Sequence, residues 1–597
     1  VTRKVEYDVA IVGSGFAGSI LARLLAAAGR SVLLVERGRH PRFALGESST
    51  PLAAIALERL ARRLEGLGAD GADLRALAAA GRWRRHLDPP AGERRLGRGL
   101  KRGFTFYRHH PGVPYANSSD NDARLLVAAS PDDEIADNHW LRADVDHHLA
   151  RRAVAAGAVL WEGCELDGIK IPGDGYGSDG NGSDGNGSDG NGSDVNRPVR
   201  LTGRRHGDTV EVEAGFVVDA SGPGGFLARH LPLAAVDPGT PDTALLHGHF
   251  RGVRLFAAAA RRAGAALPDG PYPDDRAAVH HVLAEGWMYV LRFDPEGDDG
   301  GALASAGLVL RRQAADELSH LDPAAAFRAV LDRYPTLAAT FAGAQAVRPV
   351  ARVERVPHRL ASGHGRRWLL LPHAYAFFDP LFSTGMAWSL LGVERAADLL
   401  AGGTWPPDLR GAEHYGRLLA AEADHVAHLV AGAWRAMPDF RVTAAHAQLY
   451  FAAASFTEAR QWLTGSGVPG GHPWDGFLGA TDPVLAGAAE EAHHRLVALR
   501  QAAGADLVAD PGVAAFESWV AEAIAPRNLA GLADPARHNL YPVDLEALVS
   551  AAHLLGFSRA EMRAALPRLR GESAQQVQEL GKRPEGRPAS FSGSSDG

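Results

Sequence analysis

The sequence predicts an α/β fold: a Rossmann-like nucleotide-binding domain, an inserted β-sheet domain and a helical C-terminal region. Three observations predict it. The apolar run of residues 5–12 ends in Gly13-Ser14-Gly15-Phe16-Ala17-Gly18, then a helical pattern, then a second apolar run closed by Glu36. Strand-like patterns dominate residues 199–371. From 407 to 569 the apolar spacing is almost wholly helical.

Taken in order, residues 5–36 form a βαβ unit: Ile20, Leu21, Leu24 and Leu25 mark the helix, Gly29 stops it, and residues 31–36 are the second strand. Residues 51–80 carry Leu, Ala and Arg at helical spacing, and 81–126 mix Pro, Gly and aromatics in short strand-like pieces. Residues 140–156 read as an amphipathic helix leading to a strand near Val159. Residues 173–194 are low-complexity Gly, Asn, Ser and Asp, a composition without apolar area to bury, expected as a flexible loop. Strand signals follow at 199–201, 210–218, 245–250, 287–293, 303–310 and 368–371, with a helix at 386–400. The polar stretch 571–597 reads as a disordered tail. The expected nucleotide-binding domain is discontinuous (1–50, 124–226 and 366–402), the β-sheet domain comes from 51–123 and 227–365, and the helical region is 403–570.

Composition removes several function classes. Hydrophobic residues make up 46% and charged residues 22%, as in a globular chain. A net charge of −7 offers nucleic acid no electrostatic footprint. Cys164 is the only cysteine, so a multi-cysteine metal site and an internal disulfide are excluded. The 26 histidines form no His-Glu-x-x-His set, and no metal is expected. No run of 18 apolar residues and no signal-peptide core occurs, which reads as a soluble cytoplasmic chain without a membrane partner. Four of the 63 basic residues are lysines (Lys4, Lys101, Lys170, Lys582), a skew that draws attention to each.

Chemistry enters at the first turn. Gly13, Gly15 and Gly18 allow a tight turn and close backbone approach to a pyrophosphate at the helix N-terminus, beside Phe16 and Ala17. Glu36 is placed to accept hydrogen bonds from an adenosine ribose. A dinucleotide is the expected ligand.

The segments that follow resemble the flavin-dependent halogenases and related FAD monooxygenases. Arg37 to Pro51, with Pro41-Arg42 and Gly46-Glu47-Ser48, resembles the family's segment after the second strand. Arg142-Ala143-Asp144-Val145-Asp146 sits where the family has Arg-x-x-Phe-Asp, and Asp219-Ala220-Ser221-Gly222 resembles its second FAD fingerprint. Asp379-Pro380-Leu381-Phe382-Ser383-Thr384-Gly385-Met386 resembles its flavin-ring loop, where amides near Thr384 and Gly385 also resemble the halide pocket. The resemblance implies FAD as cofactor, a domain of the GR2 or PHBH type, and Arg37, Arg42, Ser48, Arg142, Asp219, Asp379, Thr384, Gly385 and Met386 among its contacts. Two departures stand out. His373 replaces the acid of the family's Gly-Asp-Ala-Ala stretch, and Trp287-Met288-Tyr289 keeps only half of its Trp-x-Trp signature.

The family's halogenating lysine resembles Lys101 in Lys101-Arg102-Gly103-Phe104-Thr105-Phe106, displaced downstream by the arginine-rich residues 82–98. Lys101, Glu47, Trp287 and Tyr289 are the catalytic candidates, with His139, His280 and His281 as further acid–base groups. Phe104, Phe106, Tyr107, Trp287, Tyr289, Phe377 and Phe378 are expected to line a pocket for a bulky hydrophobic small molecule. The implied reaction is oxidation or halogenation of that molecule, with electrons from NAD(P)H or a partner flavin reductase. A non-redox cyclase or isomerase keeping FAD as a structural element is the alternative.

Overall fold

The computed structural model describes residues 5–87, 96–172, 197–293, 303–402, 405–464, 472–503 and 509–569. The low-complexity stretch 173–194 and the tail 571–597 lie outside the described residues.

The first sheet is built on the two apolar runs. Its strands run His364–Gly365, Trp368–Leu370, Asp208–Asp219, Val5–Val12, Val32–Glu36 and Val159–Glu162. The hairpin Cys164–Lys170 and Val199–Arg205 extends from Asp208–Asp219. The inner pairings are parallel, and the register sets Val12 beside both Val35 and Asp219. This brings the Gly13 turn, Glu36 and Asp219 together at the carboxyl ends of neighbouring strands, the edge at which open α/β sheets bind ligands. Helices Phe16–Ala27, Arg142–Ala155 and Thr384–Ala401 lie against the sheet and bury their apolar faces.

The second sheet has nine strands and is mostly antiparallel. Its path runs Gln345–Ala346, Thr243–Arg251, Leu303–Arg311, Gly286–Arg292, Ala278–Val282, Gly103–Arg108, Arg124–Ala128 and Leu540–Tyr541, with Ala351–Val353 also on Thr243–Arg251. A separate two-stranded ribbon pairs Arg98–Lys101 with Asp137–Trp140.

One expectation changes here. Arg124–Ala128 pairs with the inserted sheet and Asp137–Trp140 with the ribbon, rather than with the nucleotide-binding sheet expected for 124–226. The C-terminal region is helical as expected and adds one short strand, Leu540–Tyr541, which pairs in parallel with Arg124–Ala128. Both follow from backbone groups on an open sheet edge, which any nearby extended segment can satisfy whatever its position in the chain. The other described elements of that region are helices, led by Leu409–Ala436 and Phe440–Thr464. The Asp408 carboxylate accepts from Gly411 N at 2.9 Å and caps the longer helix. These helices close over the junction of the two sheets.

Candidate functional site

A cavity of about 630 Å³ opens at the carboxyl edge of the first sheet. Of the residues expected to hold a cofactor, Gly13, Gly15, Phe16, Ala17, Glu36, Arg37, Arg42, Ser48, Arg142, Gly385 and Met386 line it. Gly18, Asp219, Asp379 and Thr384 do not, and act from behind the wall. Gly13 has φ +106°, and a Cβ there would meet Ala220 O at 2.5 Å. A Cβ on Gly18 would meet Gly13 O at 2.0 Å, so helix and turn can close only on glycine.

Asp219 is buried and accepts from Ser221 N (2.9 Å), Ser221 Oγ (2.6 Å) and Leu227 N (2.7 Å). It thereby shapes the turn of Ala220 to Pro223 that lines the cavity. Glu36 accepts from Ser14 N, Ser14 Oγ, Gly38 N and Arg42 Nη2 at 2.8–3.2 Å. Burial opposes its charge, but Arg42 and these donors hold it below the usual carboxylate range. Arg142 is fixed by both oxygens of Asp146, at 2.7 and 2.8 Å, and donates to Leu45 O at 2.7 Å. Asp146 also accepts from Phe16 N at 3.2 Å, tying this pair to the first helix.

The loop before helix Thr384–Ala401 holds two successive non-glycine residues in the left-handed region, Phe382 (φ 65°) and Ser383 (φ 54°). Each costs on the order of 1–3 kcal/mol. The loop is braced from outside. Tyr450 Oη donates to Phe382 O at 2.8 Å, and the two rings stack with centroids 4.3 Å apart. Ser383 Oγ bonds Ser48 Oγ at 3.0 Å, and Trp434 Nε1 donates to Asp379 at 2.9 Å. Burial pushes the Asp379 carboxyl up to about 7 against these donors.

His373 faces the cavity, its buried Nε2 has no hydrogen-bond partner among the described residues, and a Cβ on Gly385 would meet that atom at 2.5 Å. Burial, then Arg142, pulls the ring down to about 3. A neutral imidazole therefore stands where the family has an acid.

The catalytic candidates separate. Glu47 and Tyr289 line the cavity. Glu47 is buried against His249, whose Nε2 lies 3.0 Å from Oε2. Trp287 reaches neither large cavity; it is buried against His280 with ring centroids 5.2 Å apart. Lys101 is fully buried near Asp137 and Glu458 and lines neither large cavity. Its Nζ donates to Ser49 O at 2.6 Å and sits 4.0 Å from the Phe104 ring centroid. Ser48 lines the first cavity and Pro51 the second, so the lysine is tied to the partition between them.

The second cavity, about 490 Å³, is lined by Ala54, Ile55, Val127, Trp462, Leu545 and Met562 among others. The aromatic pocket expected from sequence is corrected here: none of its seven residues lines this cavity, and only Tyr289 and Phe377 line the first. Phe104 and Phe106 instead pack as core around His280, and the Tyr107 hydroxyl bonds Asp274.

Burial pulls the Lys101 ammonium down while Asp137 and Glu458 draw it up, and burial raises both of those acids. His139 and His280 are each held near 3 by burial and then by Lys101, and His281 near 3 by burial and then His280. All three are poor bases at neutral pH. Asp137, Glu458, Tyr450 and Trp434 carried no local sequence signal. Among the described residues no group of three His, Cys, Asp or Glu could hold a metal, and no helix is long and apolar enough to cross a membrane.

Comparison with known proteins agrees with this geometry. A family profile for NAD(P)-binding Rossmann-like domains matches residues 11–58. Tetracycline 7-halogenase of Kitasatospora aureofaciens is 27% identical over 64% of this chain, and the match spans 61% of that protein. The monodechloroaminopyrrolnitrin halogenase PrnC of Pseudomonas fluorescens is 25% identical over 74% of this chain and 70% of its own length. The halogenase PltM, solved with phloroglucinol and FAD, superposes with a TM-score of 0.73 at 22% identity, covering 89% of this chain and 99% of that one. The myxobacterial chondrochloren halogenase CndH gives 0.52 at 23% identity, over 72% and 83%. With the glycine turn, Glu36, the Asp219 turn and the Asp379–Gly385 loop gathered on one α/β edge, the chain is similar in sequence and fold to the flavin-dependent halogenases and related FAD-dependent monooxygenases.

Proposed function

We propose that this chain is an FAD-dependent oxidoreductase of the halogenase type, acting on a bulky, largely apolar small molecule. The observation that carries the proposal is Lys101, buried against the Ser48–Pro51 segment that separates the cavity at the glycine turn from a second, largely apolar cavity. The residues present fit FAD. The glycine turn and the first turn of helix Phe16–Ala27 would take the pyrophosphate, Glu36 the adenosine ribose, and the Ser383–Met386 segment the flavin ring. When bound, FAD supplies the redox chemistry that turns oxygen and halide into an oxidised halogen species of the hypohalous class.

The protein's part is separation and delivery. The Ser48–Pro51 segment keeps the organic substrate away from the flavin cavity. Lys101 is the one described group placed at the partition to hold hypohalous acid, by hydrogen bond or as a haloamine. Burial lowers its pKa, which increases the free-amine fraction near neutral pH. The fixed Ser49 carbonyl sets the direction of the Nζ lone pair and protons. Electrons come from a partner flavin reductase or from NAD(P)H.

The test uses the purified chain with added FAD, a flavin reductase, NADH, and chloride or bromide, with phloroglucinol as probe substrate. The expected result is flavin absorbance near 450 nm and a halogenated product. Lys101→Ala is expected to retain FAD and release peroxide while losing the product. Failure to take up FAD, or full conversion of any substrate without oxygen and reductant, overturns the proposal.

A further inference from the structure

Glu36 closes the second strand of the first sheet, and its carboxylate lines the cavity with its two oxygens unequally engaged. Oε2 accepts from Ser14 N at 3.2 Å, Ser14 Oγ at 2.9 Å and Arg42 Nη2 at 2.8 Å. Among the described residues, Oε1 accepts only from Gly38 N, at 2.8 Å. A carboxylate oxygen has two lone pairs, so Oε2 is filled and Oε1 keeps one open. Position 38 protects that opening, since a Cβ on Gly38 would stand 3.3 Å from Oε1. Arg42 is the movable donor of the set. Its side chain is 28% exposed, and Nη2 lies 3.9 Å from where a Cβ on Gly15 would be, over the turn that takes a diphosphate. When Arg42 turns to that anion, the two Ser14 donors still fill Oε2. Ser14 itself is fully buried.

His40 holds the serine. Its Nε2 lies 2.7 Å from Ser14 Oγ. The serine hydroxyl has one proton, and the carboxylate takes it, because a bond to a charged acceptor is the stronger. His40 therefore donates through Nε2–H, and its buried Nδ1, without a partner among the described residues, carries the lone pair. Burial, then the Arg42 charge, holds this ring below the usual imidazole range, in keeping with the neutral form. Two contacts fix His40 in turn. Its N donates to Glu162 Oε1 at 2.7 Å, and its ring stacks on His147 with centroids 5.8 Å apart. Glu162 stands beside Glu36 in the parallel register, but its carboxylate engages that amide and does not line the cavity. We infer that Ser14 and His40 are positioning residues that keep Glu36 Oε2 closed when a dinucleotide enters, leaving Oε1 to receive the adenosine ribose through one hydroxyl only. The inference rests on the proposed binding of FAD and narrows it, since two neighbouring ribose hydroxyls would otherwise take both oxygens of one carboxylate.

Absorbance titration of the full-length protein, stripped of bound flavin, with FAD and with its 2′-deoxyadenosine and 3′-deoxyadenosine analogues reads the inference. Each analogue lacks one hydroxyl and keeps every other group of FAD. In wild type, one analogue is expected to bind about tenfold or more weakly than FAD, the loss of a bond to a charged acceptor, and the other within about twofold. Ser14→Ala removes the Oγ donor and opens Oε2. Both analogues should then bind more weakly than FAD, and the ratio between them should drop below about threefold. His40→Phe keeps the stack on His147 and frees the serine hydroxyl to turn, so it should shift the ratio the same way. A merely structural role for either residue would weaken all three probes alike and leave the ratio where it was. Two analogues weakened equally in wild type, two that match FAD, or an unchanged ratio in either variant overturns the inference. If the variants fail to fold, the two analogues on wild type decide alone. Failure to take up FAD overturns the proposed function itself, whereas uptake with equal losses from the two analogues leaves that function standing and removes only this inference.

Discussion

Replacing Lys101 by methionine removes the one ammonium near buried Asp137 and half-buried Glu458, and the cost depends on pH in a calculable way. At pH 6 these acids are largely protonated, since burial raises both. The main loss there is the bond from Nζ to Ser49 O, about 1–2 kcal/mol for a buried carbonyl left without its donor. Raising the pH separates the two proteins. In wild type, the folded pKa of Lys101 lies below its unfolded value, so the penalty for burying the ammonium is relieved as pH rises through the folded value. The variant has no such relief. Its acids keep folded pKa values above their unfolded ones, pushed higher by loss of the ammonium, so its stability goes on falling as pH rises. A difference of about one proton over two pH units amounts to about 2–3 kcal/mol. The variant should therefore lose about 2–3 kcal/mol relative to wild type between pH 6 and pH 9, on top of whatever difference stands at pH 6. Thermal midpoints followed by circular dichroism at pH 6, 7.5 and 9 measure it, compared variant against wild type because a chain of several units need not unfold in one step. Lys101→Met with Asp137→Asn and Glu458→Gln removes all three titrating groups, so its own thermal midpoint should lose the fall with pH that the single variant shows. A gap that is constant, or larger at pH 6, in the single variant would refute the linkage of lysine to acids.

Three further outcomes follow from the geometry. Glu36→Ala removes the acceptor organised by Ser14, Gly38 and Arg42 and should weaken FAD binding by about 1–3 kcal/mol, read from absorbance titration. Tyr450→Phe keeps the ring stack on Phe382 but loses the bond to its carbonyl; it should cost about 1 kcal/mol of stability and shift the bound-flavin absorption spectrum, while an unchanged spectrum would remove Tyr450 from the support of that loop. Deleting 173–194 should leave FAD uptake and the thermal midpoint unchanged. The flanking strands already pair, with Lys170 opposite Arg200, so a short turn can join them at little closure entropy; a loss above about 2 kcal/mol would contradict this.

The sequence by itself determined the nucleotide-binding half of this protein. Its signals are local: glycines whose spacing a turn requires, an acid at the end of the next strand, apolar runs whose period names the element. Parallel pairing then needs only adjacent strands to bring Gly13, Glu36 and Asp219 to one edge, and they arrive there. Tertiary structure alone decided the second cavity. Asp137 meets Lys101 through strand register, Glu458 arrives on a helix more than 300 residues away, and the walls come from three segments with no shared period. The expected aromatic pocket failed for the same reason. Aromatic residues on an inserted strand read alike whether they face a cavity or pack into core, because burial drives both and only the neighbouring layer decides which. The lysine belongs to both accounts: its motif was legible, but its position at the partition exists only because the segment after Glu47 folds back to offer it the Ser49 carbonyl.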